Sequence, residues 1–170
     1  MERQIVLNDF TQTFSDLENV ISLFKSENFN EVPFNDSWTP AQVVQHLILA
    51  NENFAAILNG STKETTRAID EQLSRLKSLF LNFELKMKSP VFILPAIGPY
   101  DQQQQVEIIS NIKNDCLNAI TALDLSRTCL DFELPSFELL TRLEAIYFVI
   151  YHTQRHTRQL KEIAKFLKLY

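Results

Sequence analysis

Glycine is nearly missing from this chain, with 2 in 170 residues against the roughly 7% of average usage. Sandwiches, barrels and phosphate-cradling loops all consume glycine, so the composition argues against each of them. Cysteine is equally scarce. Cys116 and Cys129 are the two present, and they read as buried small apolar residues rather than as a bridge. There is no basic excess either. Sixteen Lys and Arg against 21 Asp and Glu leave a formal charge of −5, which opposes non-specific attraction to nucleic acid or anionic membrane. No apolar run approaches the length of a membrane span, and Met1-Glu2-Arg3-Gln4 lacks the basic flank and apolar region of a secretory signal. A cytoplasmic protein with no nucleic-acid or membrane partner is expected. The Asn59-Gly60-Ser61 sequon has no use there.

What is present is ordinary globular composition, 45% hydrophobic and 22% charged, in a length suited to one domain spanning 1–170. A domain of this size removes roughly 70% of its unfolded surface from water. No disulfide or structural metal is needed merely to fold, so any metal serves function.

The apolar spacing is helical. Leu7, Phe10, Phe14, Leu17, Val20, Ile21 and Phe24 form one stripe ending near Ser26. Thr39, Pro40 and Gln42 make a cap, a first helical position and a capping box, which predicts a second helix from Pro40 to about Leu58. Asn59-Gly60 then supplies residues that tolerate a left-handed stop. An additional helix is expected through Ile69, Leu73, Leu76, Phe80 and Phe83. The proline-containing run Val91 to Pro99 reads as an extended strap laid over the bundle, because a solvated loop rarely carries so many large apolar residues. Whether it covers a site as a lid or merely packs elsewhere is a separate matter, and packing is the preferred expectation. Asp101 caps a third bundle helix with Val106, Ile109, Ile112, Cys116, Ile120 and Leu123 inward. Thr141 and Glu144 form a capping box for the last, with Ser136 as an earlier alternative start. From Thr141 to Leu167 is about 40 Å of helix. The expected fold is all-α, with negligible sheet: a four-helix bundle with an additional helix and the strap between bundle helices two and three.

All three histidines fall on inward stripes. Ala145, Val149, His152, His156, Leu160, Ile163 and Leu167 step by three and four, placing two imidazoles on one face about 6 Å apart along the axis. His46 lies between Val43 and Ala50 on the second helix, and adjacent helices would bring a third imidazole to the same point. Neutral imidazole suits zinc, nickel, copper and iron, and three protein ligands leave positions open for chemistry. Such a metal generates its own nucleophile from water or a thiol. The same positions also suit hydrogen-bonded core histidines, and spacing alone leaves both readings open. The zinc-protease helix signature is absent, because Thr153 stands where it requires Glu. Within a turn of the histidines the inward-compatible polar residues are Gln42, Asn53 and Gln159, amides rather than carboxylates, so no general base is evident there.

At these residues the chain resembles the DinB-like metal-binding four-helix-bundle superfamily, which includes bacillithiol-transferase-like and mycothiol-dependent enzymes. The carriers are Ser37-Trp38-Thr39-Pro40-Ala41-Gln42 with Val44-Gln45-His46-Leu47, and Leu140-Thr141-Arg142-Leu143-Glu144 with the run from Tyr151 to Leu160. The resemblance covers most of the chain. It departs at Glu138 and Ala145, where related sequences often have Gly and Trp. It implies that His46, His152 and His156 bind one divalent metal, zinc or nickel, and that the chain forms a homodimer. The implied activity is metal-dependent transfer of a low-molecular-weight thiol co-substrate to a small-molecule electrophile. The alternatives are a metal-dependent hydrolase, or a non-catalytic helical binding or stress-response module. No residue is assigned as catalytic.

Further candidates at the site are Trp38, Asn53 and Gln159. Trp38 stacks near a substrate or, preferably, anchors the start of helix two. Gln159 is a hydrogen-bond partner for a ligand or a polar flank. Arg155 and Arg158 receive an anionic thiol or, preferably, complement the helix dipole. Cys116 is expected in the core, and Tyr147 and Tyr151 at a helix or subunit interface.

Overall fold

The computed structural model describes residues 2–169. Two threonine caps start the helices that matter most. Thr39 Oγ1 accepts from the Gln42 amide at 3.1 Å while Gln42 Oε1 accepts from the Thr39 amide at 3.0 Å. Thr141 and Glu144 repeat the pattern at 3.1 and 2.9 Å. Each reciprocal box satisfies two amides that a helix start leaves orphaned, and losing such a cap costs about 1 kcal/mol. Ser136, the alternative start, is in a left-handed loop conformation at φ 71°.

The helices are α1 (Arg3–Ile21), α2 (Ser26–Phe29), α3 (Pro40–Asn51), α4 (Phe54–Asn59), α5 (Leu73–Phe80), α6 (Gln102–Ala122) and α7 (Arg142–Phe166). Two-residue strands, β1 (Thr62–Lys63) and β2 (Thr128–Cys129), pair antiparallel with Thr62 opposite Cys129. α1 and α3 each lie against both α6 and α7, which sets α1 diagonal to α3 and α6 diagonal to α7 in a four-helix square. α5 covers a further side of α7. Enclosed by three helices, α7 is buried all round from Leu143 to Ile150. Phe10, Phe14, Leu17, Leu47, Ile109 and Ile120 fill the interior, each contributing about 1.5–3 kcal/mol of apolar burial. Both cysteines are free and buried.

Several expectations need correction. The second helix is not continuous to Leu58: it breaks at Glu52 and Asn53, where Asn53 takes φ −103°, ψ 8°, outside the helical region and open to a short polar side chain. Gly60 is not a left-handed stop, since its φ is −72° and ψ −166°. Its lack of a side chain answers a close approach, because a Cβ there would meet Asp131 Oδ2 at 2.5 Å, the same oxygen that accepts from the Ser61 amide at 2.7 Å. The additional helix is only two turns, with Phe83 outside it and exposed.

The strap differs most. Val91–Ile93 form a 3₁₀ turn, and Val91, Phe92 and Ile97 are 84%, 81% and 99% exposed instead of buried over the bundle. The strap touches α3.

α7 is also anchored by charge. The Glu144 carboxylate is fully buried and accepts from both Arg67 guanidinium nitrogens, at 2.7 and 2.6 Å, and from the Gln72 amide at 2.7 Å. Glu138, one of the departures from the family pattern, lies 3.8 Å from the same arginine, while Ala145, the other, is buried in the core.

Candidate metal centre

The α3–α7 contact brings His46, His152 and His156 together. All three are buried, and their ring centroids are 4.6–5.1 Å apart with interplanar angles of 63–83°. One ring nitrogen from each lies within 4.8 Å of the others. Steep inclination alone is also usual for edge-to-face rings; it is the mutual approach of one nitrogen from each ring that lets the three hold a single cation.

Hydrogen bonds outside the cluster set the tautomers. His46 Nδ1 donates to the carbonyl oxygen of Ile93 at 2.8 Å, and His156 Nδ1 donates to Gln159 Oε1 at 2.8 Å. With the proton on Nδ1, the Nε2 lone pair of each ring is free for a cation. His46 Nε2 faces His152 Nε2 at 3.2 Å. Two nitrogens bound to one tetrahedral cation at 2.0–2.1 Å stand about 3.3 Å apart, so this pair is spaced as two ligands. His152 Nδ1 is buried without a hydrogen-bond partner among the described residues; its ring is held by stacking on Phe148 at 5.6 Å and 7°, and by the edge of Phe80 at 5.9 Å.

Burial is the largest influence on all three rings and lowers each pKa. His156 is pushed down to about 3, helped by the charge of His46; His152 falls well below the ordinary value, helped by His156 and His46; His46 is lowered less, its bond to Ile93 opposing. Neutral rings at pH 7 have no proton to lose before binding a metal. The donor set therefore fits a divalent cation of borderline softness.

A cleft of about 750 Å³ opens onto His156. Trp38 and Gln159 line it, and the indole lies 5.2 Å from the His46 ring, tilted by 47°. Trp38 thus touches the site while also standing at the start of α3. Asn53 does not reach the site: it is exposed at the α3–α4 break. Arg155 and Arg158 do not serve the dipole of α7, which runs on to Phe166. Arg155 donates to the carbonyls of Phe80, Asn82 and Leu85, tying down the end of α5, and Arg158 lies 4.4 Å over the Phe83 ring. Cys116 packs in the core, its thiol pushed up to about 12 by burial. Tyr147 donates to Asp9 Oδ2 at 2.7 Å, which makes its face an α1–α7 helix interface.

Sequence reasoning missed the cleft's far wall. Lys86, Lys88 and Met87 follow α5 in a segment with no periodicity, and the carboxylates of Asp36 and Glu162 also line the cleft. Glu162 was detectable, lying three residues after Gln159 on the same helix. The strap lies on this side of the molecule too: Leu94 lines the cleft and Ile93 bonds a ligand candidate. Packing remote from the site was the wrong expectation.

Comparison with known families matches residues 9–160 to the DinB superfamily. Neither curated proteins nor solved structures give a match. The matched span holds the three histidines, both capping boxes and all four bundle helices in whole or greater part. The chain belongs to the DinB superfamily.

Proposed function

We propose that this chain is a metal-dependent thiol transferase, with one divalent cation, zinc or nickel, held by His46, His152 and His156. The observation that carries this reading is the gathering of three neutral imidazoles, one of which, His156, lines a cleft. A cation there supplies Lewis acidity that lowers the pKa of a thiol brought beside it. Around it the chain provides a place for each reactant. Phe34, Phe83, Met87 and Leu94 give the cleft apolar wall for an electrophile, and Lys86, Lys88, Arg155 and Arg158 outnumber Asp36 and Glu162. A surplus of positive charge within a chain of net −5 favours a small thiol that carries anionic groups. In the reaction the thiolate sulfur attacks the electrophilic carbon, a C–S bond forms, the leaving group departs with its bonding electrons, and the thiol proton passes to solvent. Two free buried cysteines and a thiol co-substrate suit a reducing, cytoplasmic setting.

A second reading has its own support. Asp36 and Glu162 at the cleft bring carboxylates within the same space, which a metal-dependent hydrolase needs as a base. Protein loaded with zinc or nickel is assayed with a panel of thiols against monobromobimane and a haloarene, beside ester and amide substrates without thiol. Thiol-dependent turnover lost in His46→Ala supports the transferase. Turnover that ignores thiol favours the hydrolase, and none on any substrate favours a non-catalytic binding module.

A further inference from the structure

We infer that the main-chain carbonyl of Ile93 is a positioning group for His46, which makes the strap a working part of the metal centre and links its closure to metal binding. The inference rests on the three-histidine reading of the site.

The bond itself is the first observation. His46 Nδ1 donates to Ile93 O at 2.8 Å, across 47 positions of sequence. It selects the tautomer with a free Nε2 lone pair and sets the rotation of a ring that would otherwise turn about its own axis. His156 has a side-chain amide from its own helix in the same role, whereas the partner of His46 lies on a segment outside the bundle.

The second observation is what holds that segment in place. Val91, Phe92, Leu94 and Ile97 are exposed, and none belongs to the buried core. Among the described residues, its other hydrogen bonds to the rest of the chain are few and meet at one atom: the Ala96 carbonyl accepts from Gln42 Nε2 at 3.4 Å and from the Tyr100 hydroxyl at 2.9 Å. A strap fixed by core packing would stay put whether or not a metal were bound. This one is held by its backbone, and one of its main attachments is a metal ligand. Local openings are cheap where buried apolar contacts are few.

Linkage then gives a magnitude. Losing an outer partner of a ligating histidine weakens metal binding by about 10–100-fold. By reciprocity a bound metal stabilises the closed strap by the same factor.

The test is the zinc affinity of wild type, Leu94→Pro and Leu94→Ala, measured beside hydrogen exchange of peptides covering residues 89–98. The Leu94 amide donates to Val91 O at 3.2 Å. Proline there removes that donor and drives Ile93 out of its 3₁₀ conformation, swinging its carbonyl from His46. Alanine removes the same side chain and keeps the backbone. The expected result is zinc affinity about 10–100-fold weaker in Leu94→Pro and near wild type in Leu94→Ala, with circular dichroism unchanged in both. Saturating zinc slows exchange at 89–98 by a similar factor in wild type. Equal affinity for folded Leu94→Pro and wild type, or zinc that binds without slowing strap exchange, overturns the inference and leaves the metal site standing. A wild-type chain that takes up neither zinc nor nickel overturns both.

Discussion

His46 Nε2 lies 3.2 Å from His152 Nε2 across the contact between α3 and α7. Because the His46 proton is committed to Ile93, this close pair is stable only with a proton supplied by His152 or a cation between the rings. A cation held by the three imidazoles would resolve the contact for all of them at once, and would do so by clamping two helices that approach each other from different parts of the chain. Zinc at about 100 times its dissociation constant is expected to add about 2.7 kcal/mol, or about 5–11 °C in melting temperature for a chain of this size. A thermal melt with and without zinc checks this. His46→Ala and His152→Ala are expected to lose the increment and to emerge from dialysis without stoichiometric metal.

Acid should unfold the metal-free protein through the same residues. Each histidine pKa is lowered by burial, His156 to about 3, so the unfolded chain binds protons first as pH falls. The stabilising contribution is full above the unfolded histidine value near 6.5 and is lost progressively as pH drops toward 3. Urea midpoints between pH 7.5 and 5, above the main carboxylate range, isolate this effect. His156→Gln is expected to show a shallower decline than wild type; an equal slope would remove the buried histidines as its cause.

Local signals were legible and distant ones were not. The inward stripes of α1, α6 and α7, and the boxes at Thr39–Gln42 and Thr141–Glu144, depend on residues three or four apart, so spacing reports them directly. The histidines were legible for the same reason, as members of those stripes. Ile93 reaches His46 through its backbone, and a carbonyl leaves no trace in residue identity. Gly60 looked like a helix stop because glycine has two uses, and only the approach of Asp131 separates them. The strap was misplaced because its apolar composition suggested burial, while the fold leaves Val91, Phe92 and Ile97 in solvent.

The buried ion pair at the start of α7 carries stability apart from the site. Arg67→Ala leaves the fully buried Glu144 carboxylate without its counter-charge, which costs about 3–5 kcal/mol. Chemical denaturation is expected to show that loss. Zinc stoichiometry at 20 °C is expected to persist in the fraction that stays folded, because His152 lies two turns further along α7, about 12 Å away. Loss of metal from folded Arg67→Ala would mean that the pair also positions the ligands.

On the thiol-transferase reading, lysine charge in the cleft would favour an anionic thiol over a neutral one. Lys86 and Lys88 line the cleft and, unlike Arg155, hold no carbonyls among the described residues. Removing both as Lys86→Ala/Lys88→Ala leaves the imidazoles and the ends of α5 and α7 as they are. Exposed charges act over about 10 Å at 0.1 M salt and fade as salt rises. The double variant is therefore expected to raise KM for a carboxylate-bearing thiol a few-fold at low salt, to leave a neutral thiol unchanged, and to converge with wild type near 1 M salt. Steady-state kinetics at two salt concentrations decide it. An equal rise in KM for both thiols would assign the lysines to cleft shape, and no rise for either would place the thiol away from this wall.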